Sequence, residues 1–117
     1  MSRARASAAE NLSKAAPLFA ALGDQTRLSI VARLCGTGPQ SIVRLTEGTK
    51  VSRQAITKHL HALAEAGLVR STRDGRERIW ELQTKRLMDV RLYLDQISTQ
   101  WDDAIERLRA LVEDEER

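Results

Sequence analysis

The sequence contains one cysteine, Cys35, so no disulfide can form within the chain. A chain without disulfides is suited to a reducing compartment. No apolar run approaches the roughly 18 residues that a membrane span needs, and no hydrophobic segment of a signal peptide follows the N-terminal arginines. We therefore expect a soluble, cytoplasmic protein.

Motifs of catalysis and of metal binding are missing as well. The sequence has no nucleophile motif, no paired catalytic carboxylates and no phosphate-binding glycine loop, and the acidic run Glu113 to Glu116 is typical of a solvated tail. The two histidines, His59 and His61, are two positions apart on a predicted helix and point about 160° away from each other. We expect no enzyme activity, no cofactor and no metal site within one protomer.

Basic charge is concentrated in the middle of the chain. The net charge is +3 and the isoelectric point is near 9.5. Residues 41–80 contain eight Lys and Arg against four Asp and Glu, whereas residues 101–117 contain three against seven. This distribution favours a polyanionic partner for the central region.

The N-terminal region predicts a flexible tail and two helices. We expect residues 1–9 to form a flexible basic tail. A first helix is predicted from about Glu10 to Leu22, with a bend or restart at Pro17, and Gly23 ends it.

The second helix is predicted to be nearly buried. Asp24 is a suitable N-cap, Leu28, Val31, Ala32 and Cys35 recur at i, i+3, i+4 and i+7, and Ile30 and Leu34 widen this apolar stripe. Because a lone cysteine on an apolar stripe usually packs in the core, we expect Cys35 to be buried. An intermolecular thiol switch is the alternative.

Two further helices flank a turn that contains glycine. Ser41 is expected to cap a short third helix and Ser52 a fourth. The fourth helix has an apolar side with Ile56, Leu60, Leu63 and Gly67, a polar side with Gln54, Lys58, His61 and Glu65, and Thr57 on the flank. This pair is typical of a helix-turn-helix, whose second helix can enter a groove of DNA.

The segment after the fourth helix predicts a β-hairpin. The dipeptide Asp74-Gly75 is a strong turn signal between two strand-like stretches, and Arg73, Arg76 and Arg78 make the tip basic, although Glu77 reduces that charge. A helix-turn-helix followed by a basic hairpin, or wing, is a winged helix. In such a fold the helix contacts the major groove and the wing reaches the neighbouring backbone or the minor groove.

The last segment predicts one long helix over residues 84–113. Its apolar side chains alternate at spacings of three and four residues: Leu87, Val90, Leu94, Ile97, Trp101, Ala104, Leu108 and Leu111. About 28 helical residues would span on the order of 40 Å, which is more than so small a domain can cover. A partner helix is therefore expected; the alternative is a helix that folds back onto its own core.

Two stretches resemble one family. Residues 18–34, LFAALGDQTRLSIVARL, resemble the lADptRl.IL..L opening of ArsR/SmtB-type bacterial repressors, and residues 51–82 are similar to that family's recognition helix and wing. The resemblance implies a mainly α fold with a small β-hairpin, in the order αααα-ββ-α: a winged helix-turn-helix with a long C-terminal dimerisation helix. It also implies a homodimeric, sequence-specific repressor of double-stranded DNA that binds a pseudo-palindromic operator near its own promoter.

These patterns together predict a single domain over residues 10–117. It comprises N-terminal helices (10–35), the helix-turn-helix (41–66), the wing (68–82) and the dimerisation helix (84–113). At 117 residues the chain is long enough for one hydrophobic core.

Residues of the fourth helix and the wing are predicted to bind DNA. Arg53 and Gln54 have the donors and acceptors to match guanine and adenine edges, and the wing arginines can neutralise phosphates. The predicted set is Ser52, Arg53, Gln54, Thr57, Lys58, His61, Arg73, Arg76 and Arg78. His59 lies toward the apolar side, so we expect it to pack or to touch a phosphate rather than to read a base.

The resemblance also implies a dimer interface, predicted to include Leu12, Phe19, Leu94, Ile97, Trp101 and Leu108. On this seam Trp101 is expected to pack in a core, and a ligand cavity is the alternative. Family members that sense metals use paired cysteines or Asp and His ligands on the last helix, and this chain has one cysteine and no histidine after His61. The tail over residues 100–113, QWDDAIERLRALVE, is similar to a branch of the family without a known metal site.

One alternative function belongs to a different class. A winged helix can also serve as a protein-interaction module without specific DNA binding. That reading predicts exposed apolar side chains on the helix that Ser52 caps.

Overall fold

The computed structural model describes residues 13–115; the tail predicted over residues 1–9 and the predicted interface residue Leu12 lie outside this range. The elements are α1 (residues 13–22), α2 (Gln25–Thr37), β1 (Gln40–Ser41), α3 (Ile42–Thr46), α4 (Arg53–Glu65), β2 (Val69–Asp74), β3 (Glu77–Leu82) and α5 (Thr84–Glu115). Mostly helical structure with a small antiparallel sheet confirms the predicted fold class.

Helix α1 continues through Pro17, so the restart predicted there as one of two alternatives is wrong. The missing N–H of Pro17 would have bonded the carbonyl of Ser13, where the described helix begins, and proline is tolerated near the start of a helix. Gly23 follows the last turn and donates its N–H to the carbonyl of Ala20 at 3.3 Å.

Helix α2 buries only part of the predicted apolar stripe. The cap is confirmed, since the carboxylate of Asp24 accepts the N–H of Arg27 at 3.0 Å. The buried residues are Ile30, Val31 and Leu34, whereas Leu28, Ala32 and Cys35 are exposed. The predictions of a nearly buried helix and of a core position for Cys35 are wrong.

A short strand ties the start of α3 to the wing. Strand β1 pairs antiparallel with β3, with Gln40 opposite Trp80 and Ser41 opposite Ile79, and the sheet order is β1-β3-β2. Ser41 also caps α3, because its hydroxyl oxygen accepts the N–H of Arg44 at 3.3 Å. No turn or alternation signal in the sequence predicts this two-residue strand.

The core lies where α1 to α4, the base of the wing and the first part of α5 meet. Leu60, Leu63 and Leu68 are fully buried there. Arg33 of α2 donates from Nη1 to the carbonyls of Leu45 and Glu47, at 3.1 and 3.0 Å. These bonds satisfy carbonyls at the C-terminal end of α3 and so fix the turn that leads into α4.

Helix α5 is one helix of 32 residues, so the alternative in which it folds back is wrong. Only its first part is anchored: Val90 is buried, Leu87 packs partly against the core, and the ring of Tyr93 lies 5.6 Å from that of Phe19. After Ile97, Ala104 is the one half-buried residue of the described helix and the others are exposed.

Candidate nucleic-acid interface

Helix α4 begins at a capped end and buries its apolar side. The hydroxyl oxygen of Ser52 accepts the N–H of Ala55 at 3.2 Å, which confirms the predicted N-cap. Ile56, Leu60 and Leu63 are at most 1% exposed. The polar stripe of α4, consisting of Gln54, Lys58, His61 and Glu65, is exposed. Both predicted sides of this helix are confirmed.

The first turn of α4 offers side chains with distinct hydrogen-bonding capacity. Arg53 and Gln54 are exposed, whereas the hydroxyl of half-buried Thr57 donates to the carbonyl of Arg53 at 2.8 Å. Thr57 therefore retains its oxygen lone pairs and its methyl group, which suit a base edge or a thymine methyl better than a phosphate. Ser52 acts as the cap, and its hydroxyl hydrogen remains for a DNA acceptor.

Lys50 was not among the residues predicted to bind DNA. It is exposed in the turn before α4, two residues ahead of the cap. A helix N-terminus that points at DNA often approaches the phosphate backbone, where an ammonium group is favourable. Its position two residues before the Ser52 cap is the sequence signal that could have identified it.

The two histidines of α4 have different surroundings. Nδ1 of His59 lies 3.8 Å from the carboxylate of Asp24, across the contact between α2 and α4, and its side chain is 26% exposed. The N–H of Arg27 lowers the pKa of Asp24, His59 adds a smaller effect in the same direction, and desolvation partly opposes both. His59 therefore packs, as predicted, while exposed His61 stands edge-on to Trp80, with 5.7 Å between ring centroids.

One face of the wing is basic. Arg73 lies directly opposite Arg78 in the register of β2 and β3, and Ser71 lies opposite Trp80. Because side chains alternate between the faces of a strand, these four residues share one face. A bond from Nη1 of Arg78 to the hydroxyl of Ser71 at 3.4 Å agrees with this placement. We call Arg73 and Arg78 the basic wing face.

The acidic residues of the wing lie on its other face. Asp74 is opposite Glu77, and Arg70 is opposite Glu81, with which it forms an ion pair. Glu77 therefore does not share a face with the basic pair, contrary to the expectation that it reduces the basic patch. The register of β2 against β3, rather than the amino-acid composition of the wing, therefore decides which charges lie on each face.

The basic wing face adjoins the polar stripe of α4. Both meet at the contact between His61 and Trp80, since Trp80 belongs to the same wing face as Arg73 and Arg78. Two arginines directly opposite each other destabilise an isolated hairpin. The same pair becomes favourable when phosphates lie against it. Arg76 adds a third exposed cation in the turn.

The large exposed apolar residues lie outside α4. Within residues 13–115 the large exposed hydrophobic residues are Leu28 on α2, Val43 on α3 and nine residues of α5: Met88, Leu92, Leu94, Ile97, Trp101, Ile105, Leu108, Leu111 and Val112. Helix α4 contributes none of this described set. The exposed apolar surface that a protein-interaction role predicts for α4 is therefore contradicted.

The residues predicted at a dimer interface divide into two groups. Leu94, Ile97, Trp101 and Leu108 are 44–65% exposed on α5, whereas Phe19 is half-buried against Tyr93 of its own chain. Trp101, at 65%, has no core to pack into within the chain described here.

In residues 13–115 no group of three or more His, Cys, Asp or Glu side chains is placed to hold a metal ion. No helix in that range is long and apolar enough to cross a membrane.

Comparison with known proteins agrees with this geometry. A helix-turn-helix domain model matches residues 22–72. The chain is 35% identical to the HTH-type transcriptional regulator Rv2034 of Mycobacterium tuberculosis, over 81% of this chain and 85% of that protein. It is 32% identical to the arsenical resistance operon repressor of Bacillus subtilis, over 67% and 74% respectively. An ArsR-like transcriptional regulator from Rhodococcus sp. RHA1 superposes with a TM-score of 0.72 at 37% identity, covering 86% of this chain and 93% of that one. The chain therefore belongs to the ArsR family of winged helix-turn-helix, DNA-binding transcriptional regulators.

Proposed function

We propose that the protein is a homodimeric repressor that binds a pseudo-palindromic operator near its own promoter. The observation that carries this proposal is the continuity of the polar stripe of α4 with the basic wing face, through His61 and Trp80. Although Trp80 itself is buried, this contact supports a position of the exposed side chains of α4, which can read base edges, beside the exposed wing arginines, which can neutralise phosphates.

Within this surface we assign the contacts by chemistry. Arg53 and Gln54, exposed at the start of α4, read bases in the major groove. Lys58 and the basic wing face contact phosphates and fix the orientation of the helix. The remaining residues that we propose to contact DNA are Ser52, Thr57, His61 and Arg76.

The exposed apolar side of α5 supports the homodimer. A twofold dimer presents two copies of α4, and two such helices read half-sites about one turn of DNA, roughly 34 Å, apart. A protein that occupies promoter DNA in this way excludes polymerase, and one similar protein carries the name of a repressor.

Fluorescence anisotropy tests sequence-specific binding. The ligands are a duplex from upstream of the protein's own gene and a scrambled duplex, each titrated at several salt concentrations. We expect the upstream duplex to bind about a thousandfold more tightly. Gln54→Ala should reduce that margin by about tenfold or more, whereas the control Gln96→Ala, which changes the same residue type on α5, should leave it unchanged.

Equal binding of the two duplexes would contradict an operator at that promoter. Selection from a pool of random duplexes then decides between a distant operator and no specificity, because a selected pool without an enriched motif contradicts base reading altogether. Transcription from the upstream promoter in vitro tests repression: added protein should lower it, and an increase would indicate activation.

A further inference from the structure

We propose that a cavity between α1 and α5 binds a small aromatic carboxylate, and that this ligand controls DNA binding through Arg86. The cavity has a volume of about 280 Å³, and residues of both helices line it, among them Lys14, Leu18, Arg86 and Tyr93. Small-molecule sites usually span roughly 300–1,000 Å³, so this one suits a ligand of about one ring. The control of DNA binding rests on the proposed function, whereas binding of the ligand does not.

The cavity follows from the sizes of three side chains. The rings of Phe19 and Tyr93 hold α1 and α5 apart at one level, with 5.6 Å between their centroids. Ala15 lies one turn before Phe19 on α1 and is among the lining residues. Its methyl group is too small to fill the space that the two rings set between the helices.

Part of the cavity lining is apolar. Ala15 and Leu18 are buried and form its floor, whereas Leu92 is exposed at its rim. Half-buried Tyr93 adds an aromatic ring to the lining. Apolar ligand surface is favoured against these side chains, and an aromatic ring on the ligand can stack on Tyr93 or meet it edge-on.

The charged part of the lining has an excess of one positive charge. Lys14 and Arg86 supply two cations, and Asp89 supplies one carboxylate, which lies 3.4 Å from Nη1 of Arg86. Within residues 13–115, Lys14 takes part in no ion pair. A ligand with one negative charge neutralises the excess, because its carboxylate can accept hydrogen bonds from the ammonium of Lys14 and the guanidinium of Arg86.

The cavity and the exposed apolar stripe lie on different sides of α5. At 100° per residue, the lining residues of α5 point about 100° away from the stripe formed by Leu94, Ile97, Trp101 and Leu108. A partner on that stripe therefore does not have to fill the cavity. The proposed site is also distinct from a ligand cavity at Trp101 on the dimer seam.

Arg86 connects the cavity with the DNA-reading helix. The stem of Arg86 packs over Gly67, where an added Cβ would lie 3.2 Å from Cγ of Arg86. Gly67 follows the C-cap of α4, and its N–H donates to the carbonyl of Ala64 at 2.9 Å. A carboxylate that draws the guanidinium into the cavity would remove this packing from the end of α4. We therefore expect the ligand to weaken DNA binding.

Isothermal titration calorimetry without DNA tests the site. The probe is 3-phenylpropionate, and the neutral 3-phenylpropanamide is the control ligand of the same shape. We expect the carboxylate to bind with a dissociation constant of about 1 mM or lower, and the amide to bind at least about tenfold more weakly. Arg86→Gln should raise the dissociation constant of the carboxylate about tenfold. Arg91→Gln, which changes an exposed arginine of α5 outside the cavity, should leave it unchanged.

A second pair of variants tests the position of the ligand. Ala15→Leu places a larger side chain in the cavity and should abolish detectable binding. Ala16→Leu makes the same change at the neighbouring exposed position of α1 and should keep the wild-type affinity. Thermal unfolding checks that both variants fold; if Ala15→Leu does not, Arg86→Gln decides.

Three results would overturn the site: no binding of 3-phenylpropionate at millimolar concentration, equal binding of the amide, or wild-type affinity in Arg86→Gln. Control of DNA binding is tested by anisotropy with the upstream duplex. Saturating 3-phenylpropionate should lower the affinity of the wild type about tenfold and should not affect Ala15→Leu. An unchanged wild-type affinity would overturn the role of Arg86 in control. If the protein binds no duplex specifically, the proposed function fails together with this control, and calorimetry alone decides the site.

Discussion

Helices α4 and α5 both alternate apolar and polar residues, but their apolar sides have different surroundings. In α4, Ile56, Leu60 and Leu63 are at most 1% exposed, whereas in α5 Leu94 and Trp101 are 49% and 65% exposed. Periodicity shows which side of a helix is apolar, and the number of neighbouring elements decides whether that side is covered. The exposed side of α4 is polar and therefore suits a polar ligand. The exposed side of α5 is apolar and therefore suits another protein surface.

The largest effect should come from the covered side. Leu60→Ala removes a fully buried side chain and should lower the free energy of unfolding by about 2–5 kcal/mol. Urea denaturation at protein concentrations below the dimer dissociation constant measures it. Leu94→Ala, on the exposed apolar side of α5, should lower the free energy of unfolding much less under those conditions. Equal decreases in the two variants would contradict the difference in burial between the apolar sides of α4 and α5.

A smaller effect, on dimerisation, should appear when exposed apolar side chains of α5 are truncated to alanine. Trp101→Ala/Leu108→Ala removes two exposed side chains, so the monomer should keep its stability while the dimer dissociation constant rises by about a hundredfold or more. Sedimentation equilibrium measures that constant. An unchanged constant would place the dimer contact elsewhere.

The two faces of the wing hairpin can be compared in the same way. Arg73→Ala removes a cation from the basic wing face of each protomer and should reduce the slope of log affinity against log salt by about one unit per protomer, or about two units for the dimer. Arg70→Ala removes a cation of the same strand on the opposite face, and the slope should stay constant. Similar losses in both variants would show that the wing does not bind DNA through one face.

The smallest effect concerns the contact between α2 and α4. The pKa of Asp24 lies below the ordinary 3.8, chiefly because the carboxylate accepts the N–H of Arg27. Its stabilising charge is therefore fully present above pH 3.8 and is lost as the pH falls through the lowered pKa. Relative to Asp24→Asn, which keeps a capping oxygen, the wild type should melt at a higher temperature near neutrality. That difference should vanish in strong acid, and a difference independent of pH would contradict the assignment.

Local features of this fold were predictable from the sequence. The caps at Asp24, Ser41 and Ser52 each depend on one hydrogen bond to a residue three positions later, so a short window contains all the information. The turn at Gly75, whose φ is +65°, is local in the same way.

Features that depend on distant partners were not predictable. Strand β1 exists because Gln40 meets Trp80, far along the chain. The extent of burial of α2 was not predictable because its apolar stripe is broad, and only the packed neighbours select Ile30 and Leu34 over Cys35. The separation of wing charges was missed because it depends on the register of two strands. The DNA contacts themselves remain predictions.

The pairing of β1 with β3 has a consequence for the choice of operator. Because Gln40 and Ser41 bond to the strand that carries Arg78, and Ser41 also starts α3, the wing and the helix-turn-helix move together. In the proposed complex, the separation between α4 in one groove and the wing beside it is thus set by the protein before DNA arrives. The protein would then lose little conformational freedom on binding, and the DNA would have to supply the matching groove width. Sequence-dependent groove shape would then contribute to selectivity at base pairs that no side chain touches.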